Sequence, residues 1–179
     1  METRTGNLII STSGGTAGGS ANNYKISLPS TWVKELGLDA ENRQMELCFD
    51  GTSITITRQL SFSEFLEANR QTGHKLLLIS CYSGPLLCAR IAADETAKKL
   101  RVENLVSDFL KLPFGNNQNP SWEDYLHFLE SRCIPRTRAG LREYLETIGV
   151  DHYDPLEIIR KTQGRMAEDD IWLTVEEIK

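Results

Sequence analysis

Long apolar runs are scarce in this chain of 179 residues. The run 76–79 has the length of a β-strand, whereas a helix that spans a membrane needs about 20 apolar residues. The first ten residues contain neither a basic segment nor a long apolar segment, so the sequence predicts no signal peptide. We therefore expect a protein of the cytoplasm that has no membrane partner.

Cysteine is also scarce, and its spacing is unlike that of a metal motif. No Cys-x-x-Cys pair occurs, and no histidine stands two to four residues from any of the cysteines, which are Cys48, Cys81, Cys88 and Cys133. We expect reduced, mostly buried thiols and no bound cofactor. One alternative stays open, a zinc site built from Cys81 and Cys88 across a hairpin. Either Cys133 or His127 would complete its ligands.

An excess of basic residues is missing too. The chain has 20 Lys and Arg against 25 Asp and Glu, a net charge of −5, and its pI is near 5.3. This balance argues against a protein that is basic throughout, as many nucleic-acid-binding domains are. It leaves two partner classes open, because a dimer can gather a few cations on one face and an acidic chain also suits a basic protein surface.

Motifs for catalysis are absent from the sequence as well. The segment 14–20 resembles a phosphate-binding loop only in its glycine spacing, since the lysine that reaches the phosphates is missing. The histidines are scattered and belong to no recognisable dyad or triad; they are His74, His127 and His152. The acidic run 168–170 is typical of a solvated turn. We therefore predict that the chain is not an enzyme, and we assign no catalytic residue and no metal ligand.

The first sixty residues alternate short strands with turns. A short strand is predicted at 7–12, and a second one at 24–28, where apolar and polar side chains alternate. Between them, the four glycines within 13–23 resist regular structure, so we predict a flexible loop. Two interpretations of this loop are open: it lies along a phosphate backbone, where glycine lets N–H groups approach, or it is only solvated.

A short helix and a second hairpin follow. Ser30 is a candidate cap for a helix over 31–36. Strands are predicted at 45–49 and 53–57, on either side of Asp50-Gly51. This dipeptide between two alternating strands is the strongest short-range signal for a hairpin.

The order and spacing of these segments carry a resemblance to a known family. The stretches 24–29 and 32–38, followed by the Asp50-Gly51 hairpin and Arg58, resemble the AbrB/MazE-like swapped-hairpin (SpoVT-AbrB) family. Its members run from a strand through Ile-Pro and a short helix ending in Leu-Gly-Ile to a hairpin that ends in a basic residue. Leu-Pro and Leu-Gly-Leu stand in those places here. The resemblance implies an AbrB-like domain over residues 1–59.

The resemblance also implies a homodimer that binds double-stranded DNA, because members of the family are dimeric transcription regulators or the DNA-binding antitoxins of toxin pairs. Physical reasoning favours the dimer independently. Fewer than sixty residues in four short strands bury little apolar surface by themselves. Exchange of hairpins between two copies would cover the sheet edges and build one shared core.

Basic residues of this domain are the candidate nucleic-acid contacts. Lys25 stands where family members often have an arginine before the Ile-Pro strand. The full set of predicted contacts is Arg4, Lys25, Lys34, Arg43 and Arg58. Five basic residues against six acidic residues give the domain a net charge of −1, so a second interpretation keeps the fold for dimerisation alone.

The remaining two thirds predict a second, α+β domain over 75–179, after a helical connector at 60–74. In the connector, Ser61 and Glu64 have the spacing of a capping box. The predicted elements are a meander of strands at 75–81, 86–92 and 100–105, helices at 121–132, 138–147 and 155–164, and a closing strand at 171–175. The whole chain is thus predicted to be an α+β protein of two domains.

Two segments of this second domain, 114–138 and 153–169, resemble small proteins of bacterial phages and other mobile elements, some of which block CRISPR nucleases. The resemblance implies a protein encoded by a mobile element. The leading interpretation is a DNA-binding transcription regulator or antitoxin-like protein. The alternative is an anti-CRISPR protein that inhibits the type II RNA-guided nuclease Cas9 by binding it, with or without DNA.

Arginines in the second domain form a second candidate contact patch. Planar guanidinium groups suit phosphate or carboxylate recognition, and the helix pair around Gly149 has helix-turn-helix spacing. The patch consists of Arg132, Arg136, Arg138, Arg142, Arg160 and Lys161. The alternative is that the arginines pair with nearby acids, namely Glu130, Glu143 and Glu146.

Overall fold

The computed structural model describes residues 2–13 and 21–178. The chain divides into two compact units between Gln59 and Leu60. Each unit contains both helix and strand, and the described strands pair antiparallel, so the described chain is α+β as predicted. No helix in the described ranges has both the length and the apolar character needed to cross a bilayer.

Two hairpins and one short helix make up the first unit. Its elements are β1 (Ile9–Ser13), β2 (Ala21–Lys25), α1 (Ser30–Glu35), β3 (Met45–Phe49) and β4 (Ile54–Arg58). Strands β1 and β2 form one two-stranded sheet, and β3 and β4 form another. An isolated two-stranded hairpin is marginally stable at best in water, so each of these hairpins needs a further surface to pack on.

The first hairpin extends further into the polar stretch than predicted. Ser13 pairs with Ala21, so both ends of the predicted loop 13–23 are strand, and that part of the prediction is wrong. The strand predicted at 24–28 correspondingly runs from Ala21 to Lys25. Backbone pairing with β1 decides its position, because an exposed strand tolerates polar side chains on both faces. Residues 14–20 of the predicted loop lie outside the described residues.

Helix α1 begins one residue earlier than predicted. Pro29 precedes the helix and Ser30 is its first residue, so the prediction that Ser30 caps it is wrong. Proline pre-sets an extended backbone before the helix without contributing a side-chain acceptor. Gly37, with φ of +69°, follows the end of the helix as predicted.

The hairpin predicted from Asp50-Gly51 is confirmed. A four-residue loop, 50–53, joins β3 to β4. The Ser53 hydroxyl donates to Oδ2 of Asp50 at 2.7 Å, and the N–H groups of Thr52 and Ser53 donate to Oδ1 at 2.9 and 2.8 Å. These hydrogen bonds, the one from the Ser53 hydroxyl above all, hold the pKa of Asp50 below its usual range. The aspartate therefore organises the turn through its own side chain.

A four-stranded antiparallel sheet forms the centre of the second unit. Its strands are β5 (Leu76–Ser83), β6 (Leu86–Asp94), β7 (Lys99–Asn104) and β8 (Ile171–Ile178), in the spatial order β7-β6-β5-β8. The meander of β5, β6 and β7 matches the prediction. The closing strand, predicted at 171–175, extends to 178 and pairs with β5 along the full length of both strands.

Three helices cover one face of this sheet: α3 (Trp122–Ser131), α4 (Leu141–Ile148) and α5 (Pro155–Thr162). Tyr125, Leu129 and Ile158 from these helices are buried in one cluster with Leu77 and Ile79 of β5. This cluster is the main core of the unit.

The opposite face of the sheet is covered by α2 (Phe62–Arg70). Phe65 is buried against Leu76 and Ala92. The segment predicted as a connector, 60–74, is therefore part of the packing of the second unit. Coverage on both faces explains why β5 is an almost continuous apolar run rather than an alternating one.

Two helix starts follow from local side-chain caps, the first of them as predicted. Ser61 and Glu64 form a complete capping box at the start of α2. Ser121 and Asp124 form an equivalent box at the start of α3. Each box satisfies backbone N–H groups that the first helical turn cannot pair by itself.

The starts of the last two helices depend on backbone geometry as well. Asp154 caps α5 and Pro155 occupies its first position, which is where the predicted helix begins. Helix α4 begins at Leu141 rather than at the predicted Arg138, because Gly140 directly before it has φ of +76°, outside the helical range.

A buried carboxylate closes the turn between β6 and β7. Oδ1 of Asp94 accepts the N–H groups of Thr96 and Ala97 at 2.9 and 2.8 Å, and Oδ2 lies 2.7 Å from Nδ1 of His74. Burial by itself raises the pKa of Asp94, but the hydrogen bonds from His74, Ala97 and Thr96 outweigh burial, and the net pKa is lowered. The folded protein thus favours the ionised carboxylate more than the unfolded chain does.

We expect Asp94→Asn to lower the free energy of unfolding at pH 7 by about 1–3 kcal/mol, because three donors lose a buried, charged acceptor. Since the folded pKa lies below the unfolded one, this stabilisation is present above the unfolded value of about 3.9 and is lost as the pH falls through the folded value. Urea unfolding between pH 7 and pH 3 should show the difference between wild type and variant shrinking on acidification.

The control for this prediction is Asp151→Asn, which alters an exposed aspartate. It should change the free energy of unfolding by no more than about 0.5 kcal/mol at either pH. A difference between wild type and Asp94→Asn that stays constant across this pH range contradicts the assigned role of Asp94.

Candidate nucleic-acid interface

One face of the first hairpin is apolar and exposed. Ile10 pairs with Tyr24 in the β1–β2 ladder, and Leu8 and Ile26 lie two residues further along the chain on either side. Because side chains alternate along an extended chain, the four residues share one face of the hairpin. Each of them is more than half exposed.

The second hairpin repeats this arrangement. Leu47 pairs with Ile56 and Phe49 pairs with Ile54, and Met45 lies on the same face. Leu47, Phe49 and Ile54 are 66–70% exposed. So many large apolar side chains side by side on a strand pair form an exposed apolar patch, which is uncommon on a monomeric soluble protein.

The exposed large apolar residues on these two faces are here called the apolar hairpin faces: Leu8, Ile10, Tyr24, Ile26, Met45, Leu47, Phe49 and Ile54. In the described part of the first unit, Leu38 is the one apolar residue that is buried. A domain of fewer than sixty residues is marginal even with an ordinary core. The described part of this unit therefore buries little apolar surface.

Three of the predicted nucleic-acid contacts are free for a ligand. Lys25 pairs with Ile9, so its side chain lies on the hairpin face opposite to that of Ile10. Lys34 is exposed on α1, and Arg43 is exposed between α1 and β3. Across residues 2–13 and 21–178, none of these three cations has a side-chain hydrogen bond or an ion pair.

The other two predicted contacts in this unit are engaged within the protein. Arg4 donates to Oε1 of Glu2 at 2.9 and 3.2 Å, and its guanidinium lies 5.7 Å from the ring centre of Trp32. Arg58 pairs with Met45, so it lies on the apolar side of the second hairpin, where it is half-buried. Lys25, Lys34 and Arg43 are therefore the stronger candidates.

The second predicted patch is divided among separate grooves. Arg136 pairs with Glu130 at 2.8 Å and lies 4.1 Å from the ring centre of Tyr153. Arg142 pairs with Glu146 at 2.9 Å and lines a different groove. For these two arginines the alternative interpretation, pairing with nearby acids, is the one that the structure bears out.

The helix-turn-helix interpretation does not fit α4 and α5. Six residues, 149–154, separate the two helices, whereas the motif uses a turn of about three or four. Ile158 and Ile159 of α5 are buried, and Arg160 on its exposed side pairs with Glu157. Lys161 is exposed next to this ion pair.

Arg132 belongs to the interior, not to a surface patch. Its side chain is 7% exposed. Its guanidinium donates to both carboxylate oxygens of Asp169 at 2.7 and 2.9 Å, to the carbonyl of Gly164 at 3.0 Å, and to the carbonyl of Ile171 at 2.9 Å. These bonds, here called the Arg132 clamp, fasten the segment 164–171 to the end of α3. The same contact lowers the pKa of Asp169.

Sequence reasoning missed Arg165, which lines a groove together with Arg138. The two residues are 27 positions apart in the sequence, and no motif connects them. The one local signal is the Gln163-Gly164 pair after α5, where both residues have positive φ and turn the chain back.

The cysteines form no metal centre with their neighbours. Cys81, Cys88 and Cys133 are buried, and Cys48 is exposed. Burial raises the pKa of both Cys81 and Cys133 to about 12, so neither is a ready thiolate. Within the described ranges, no group of three or more His, Cys, Asp or Glu side chains is arranged to hold a metal ion, and the zinc alternative has no ligand set there.

Comparison of this chain with protein-family models, with curated proteins and with solved structures finds no match. The geometry of the two units therefore carries the functional inference. The alternative partner, the nuclease Cas9, stays a prediction.

Proposed function

We propose that this protein is a homodimeric DNA-binding protein of the regulator or antitoxin type. Two copies would interlock through AbrB-like swapped hairpins in their first units. The observation that carries the proposal is the exposure of the apolar hairpin faces in a unit with a single buried apolar residue in its described part.

A second copy is the partner that best suits these faces. Each hairpin presents a continuous apolar face but has only two strands, so it needs another sheet to pack on. A twofold arrangement would stack hairpins of one chain on those of the other and bury both sets at once. The same arrangement would cover exposed strand edges, which otherwise invite aggregation.

DNA is the partner that best suits the free cations. Burial of the apolar hairpin faces in a dimer leaves Lys25 at the surface, because it lies on the opposite side of its hairpin. Lys34 and Arg43 are exposed and unpaired within the described residues. A twofold axis doubles these cations, and phosphate contacts of this kind supply most of the affinity for DNA.

The test is the affinity for a 20-base-pair duplex, measured by fluorescence anisotropy at several salt concentrations. Six phosphate contacts per dimer predict a slope of log K against log salt of roughly −5. The triple variant Lys25→Ala, Lys34→Ala, Arg43→Ala should lose most of this slope and bind at least about a hundredfold more weakly in low salt.

A matched control removes three cations that are paired with acids: Arg136→Ala, Arg142→Ala and Arg160→Ala. This control variant should retain most of the affinity and the slope. Wild-type protein that fails to bind the duplex, or equal losses in the two triple variants, would overturn the proposal.

A further inference from the structure

A groove of about 410 Å³ crosses the surface of the second unit. Its volume lies within the range of small-molecule sites. Two sequence segments line it and are here called its walls: one contains Arg138 and Tyr144, and the other contains Arg165 and Glu168. These four residues define what is here called the arginine groove.

Arg138 brings an unused positive charge to this groove. Its side chain is exposed and has no hydrogen bond or ion pair with any residue in 2–13 or 21–178. Burial raises the pKa of the Tyr144 phenol, while the nearby charge of Arg138 acts in the opposite direction. The guanidinium thus lies beside a neutral hydroxyl that can donate to the same ligand.

Arg165 is held in place by aromatic packing. Its guanidinium lies 5.0 Å from the ring centre of Trp172, and its Nε donates to Oε1 of Gln163 at 3.0 Å. The Trp172 ring is itself stacked on Tyr82 at 4.2 Å and donates to the carbonyl of Gly84 at 2.7 Å. The cation–π contact and the Nε hydrogen bond restrain the guanidinium, and neither uses its two terminal nitrogens.

The Arg132 clamp connects the two segments that line the groove. Arg132 stands at the end of α3, shortly before the wall that contains Arg138. It bonds to Gly164 and Asp169, which flank the wall segment 165–168 on both sides. A buried arginine with four internal acceptors therefore holds the segment that carries Arg165 against the end of α3, which reduces the ordering that a ligand must impose.

We propose that the arginine groove binds a phosphate group through Arg138 and Arg165. Two guanidinium groups that line one groove suit the several acceptor oxygens of a phosphate. Glu168 leaves the charged side chains of the groove with a net charge of +1. This proposal goes beyond the proposed function, because it uses neither the hairpins nor the cations of the first unit.

The test uses the full chain and titrates it with pyrophosphate in a calorimeter, in chloride buffer of low ionic strength. Wild-type protein should bind, and Arg138→Gln and Arg165→Gln should each weaken binding about tenfold or more, since each removes charge-assisted hydrogen bonds. The control Arg142→Gln removes the same charge from an exposed side chain outside the groove and should leave binding within about twofold. Circular dichroism verifies that each variant is folded.

No heat of binding with wild type, or an equal loss with Arg142→Gln, would overturn the proposal. The source of the phosphate is separated by repeating the duplex titration with Arg138→Gln and Arg165→Gln. A loss of DNA affinity assigns the groove to the DNA backbone, and unchanged DNA affinity assigns it to a free phosphorylated ligand; both results support a phosphate site. Pyrophosphate binding requires neither a dimer nor DNA. A protein that binds pyrophosphate but not the duplex would therefore contradict the proposed function and leave the phosphate site standing.

Discussion

Replacing both Leu47 and Phe49 with aspartate is expected to convert a dimer of twice the 20.2-kDa chain into a monomer. Each side chain is two-thirds or more exposed in the single chain, so the variant loses little within one copy. In the dimer, burial of such a side chain contributes about 1.5–3 kcal/mol, and every substitution occurs twice. The dissociation constant should rise by at least about a thousandfold.

Light scattering coupled to size exclusion measures this mass directly at micromolar concentration. The matched control replaces Leu86 and Leu110, two exposed leucines of the second unit, with aspartate and should leave the dimer intact. Duplex DNA binding should fall in Leu47→Asp/Phe49→Asp, because the cations are no longer doubled. A monomeric mass for the wild-type protein, or a dimeric mass for Leu47→Asp/Phe49→Asp, would contradict the interlocked arrangement.

Replacing Arg132 with methionine should lower the free energy of unfolding by about 3 kcal/mol. Methionine fills a similar volume but donates no hydrogen bond. The carbonyls of Gly164 and Ile171 then lose their donor, and Asp169 loses its countercharge. Asp169 remains partly exposed, so water can solvate its carboxylate once the arginine is gone. The expected loss of stability therefore lies at the lower end of the range for a broken buried ion pair.

Urea unfolding of Arg132→Met at pH 7 measures the loss. Arg138→Met, which alters an exposed arginine without a partner in the described ranges, should stay within about 0.5 kcal/mol of wild type. In an Asp169→Asn background the cost of Arg132→Met should shrink, since the pair is coupled. An undiminished cost in that background would show that Asp169 contributes nothing to the clamp.

Local features of the chain were predictable because they depend on residues close in sequence. The turn at Asp50-Gly51 and the box of Ser61 and Glu64 each join groups no more than three residues apart. The prediction for Ser30 failed for a local reason as well, since the helix includes it and starts directly after Pro29. Residues close in sequence thus predicted which helices and strands exist, but the predicted boundaries differ from the observed ones by a few residues.

The sequence predicted that arginines form candidate sites, but it did not predict which arginines belong to them. Arg132, Arg136 and Arg138 are alike in sequence, yet one is buried, one is paired and stacked, and one is free within the described residues. The partners that separate them, such as Asp169 for Arg132, lie up to 37 residues away. The periodicity of a sequence does not reveal contacts between residues so far apart in the chain.

The amino-acid sequence by itself determined the α+β class, the two hairpins and most helix starts, because alternation, turn residues and caps act over a few residues. Only the tertiary structure decided which strand β8 joins, which arginines face solvent, and that the first unit leaves its apolar faces uncovered. These outcomes depend on contacts between residues far apart in the sequence. Such contacts form only when the helices and strands pack against one another.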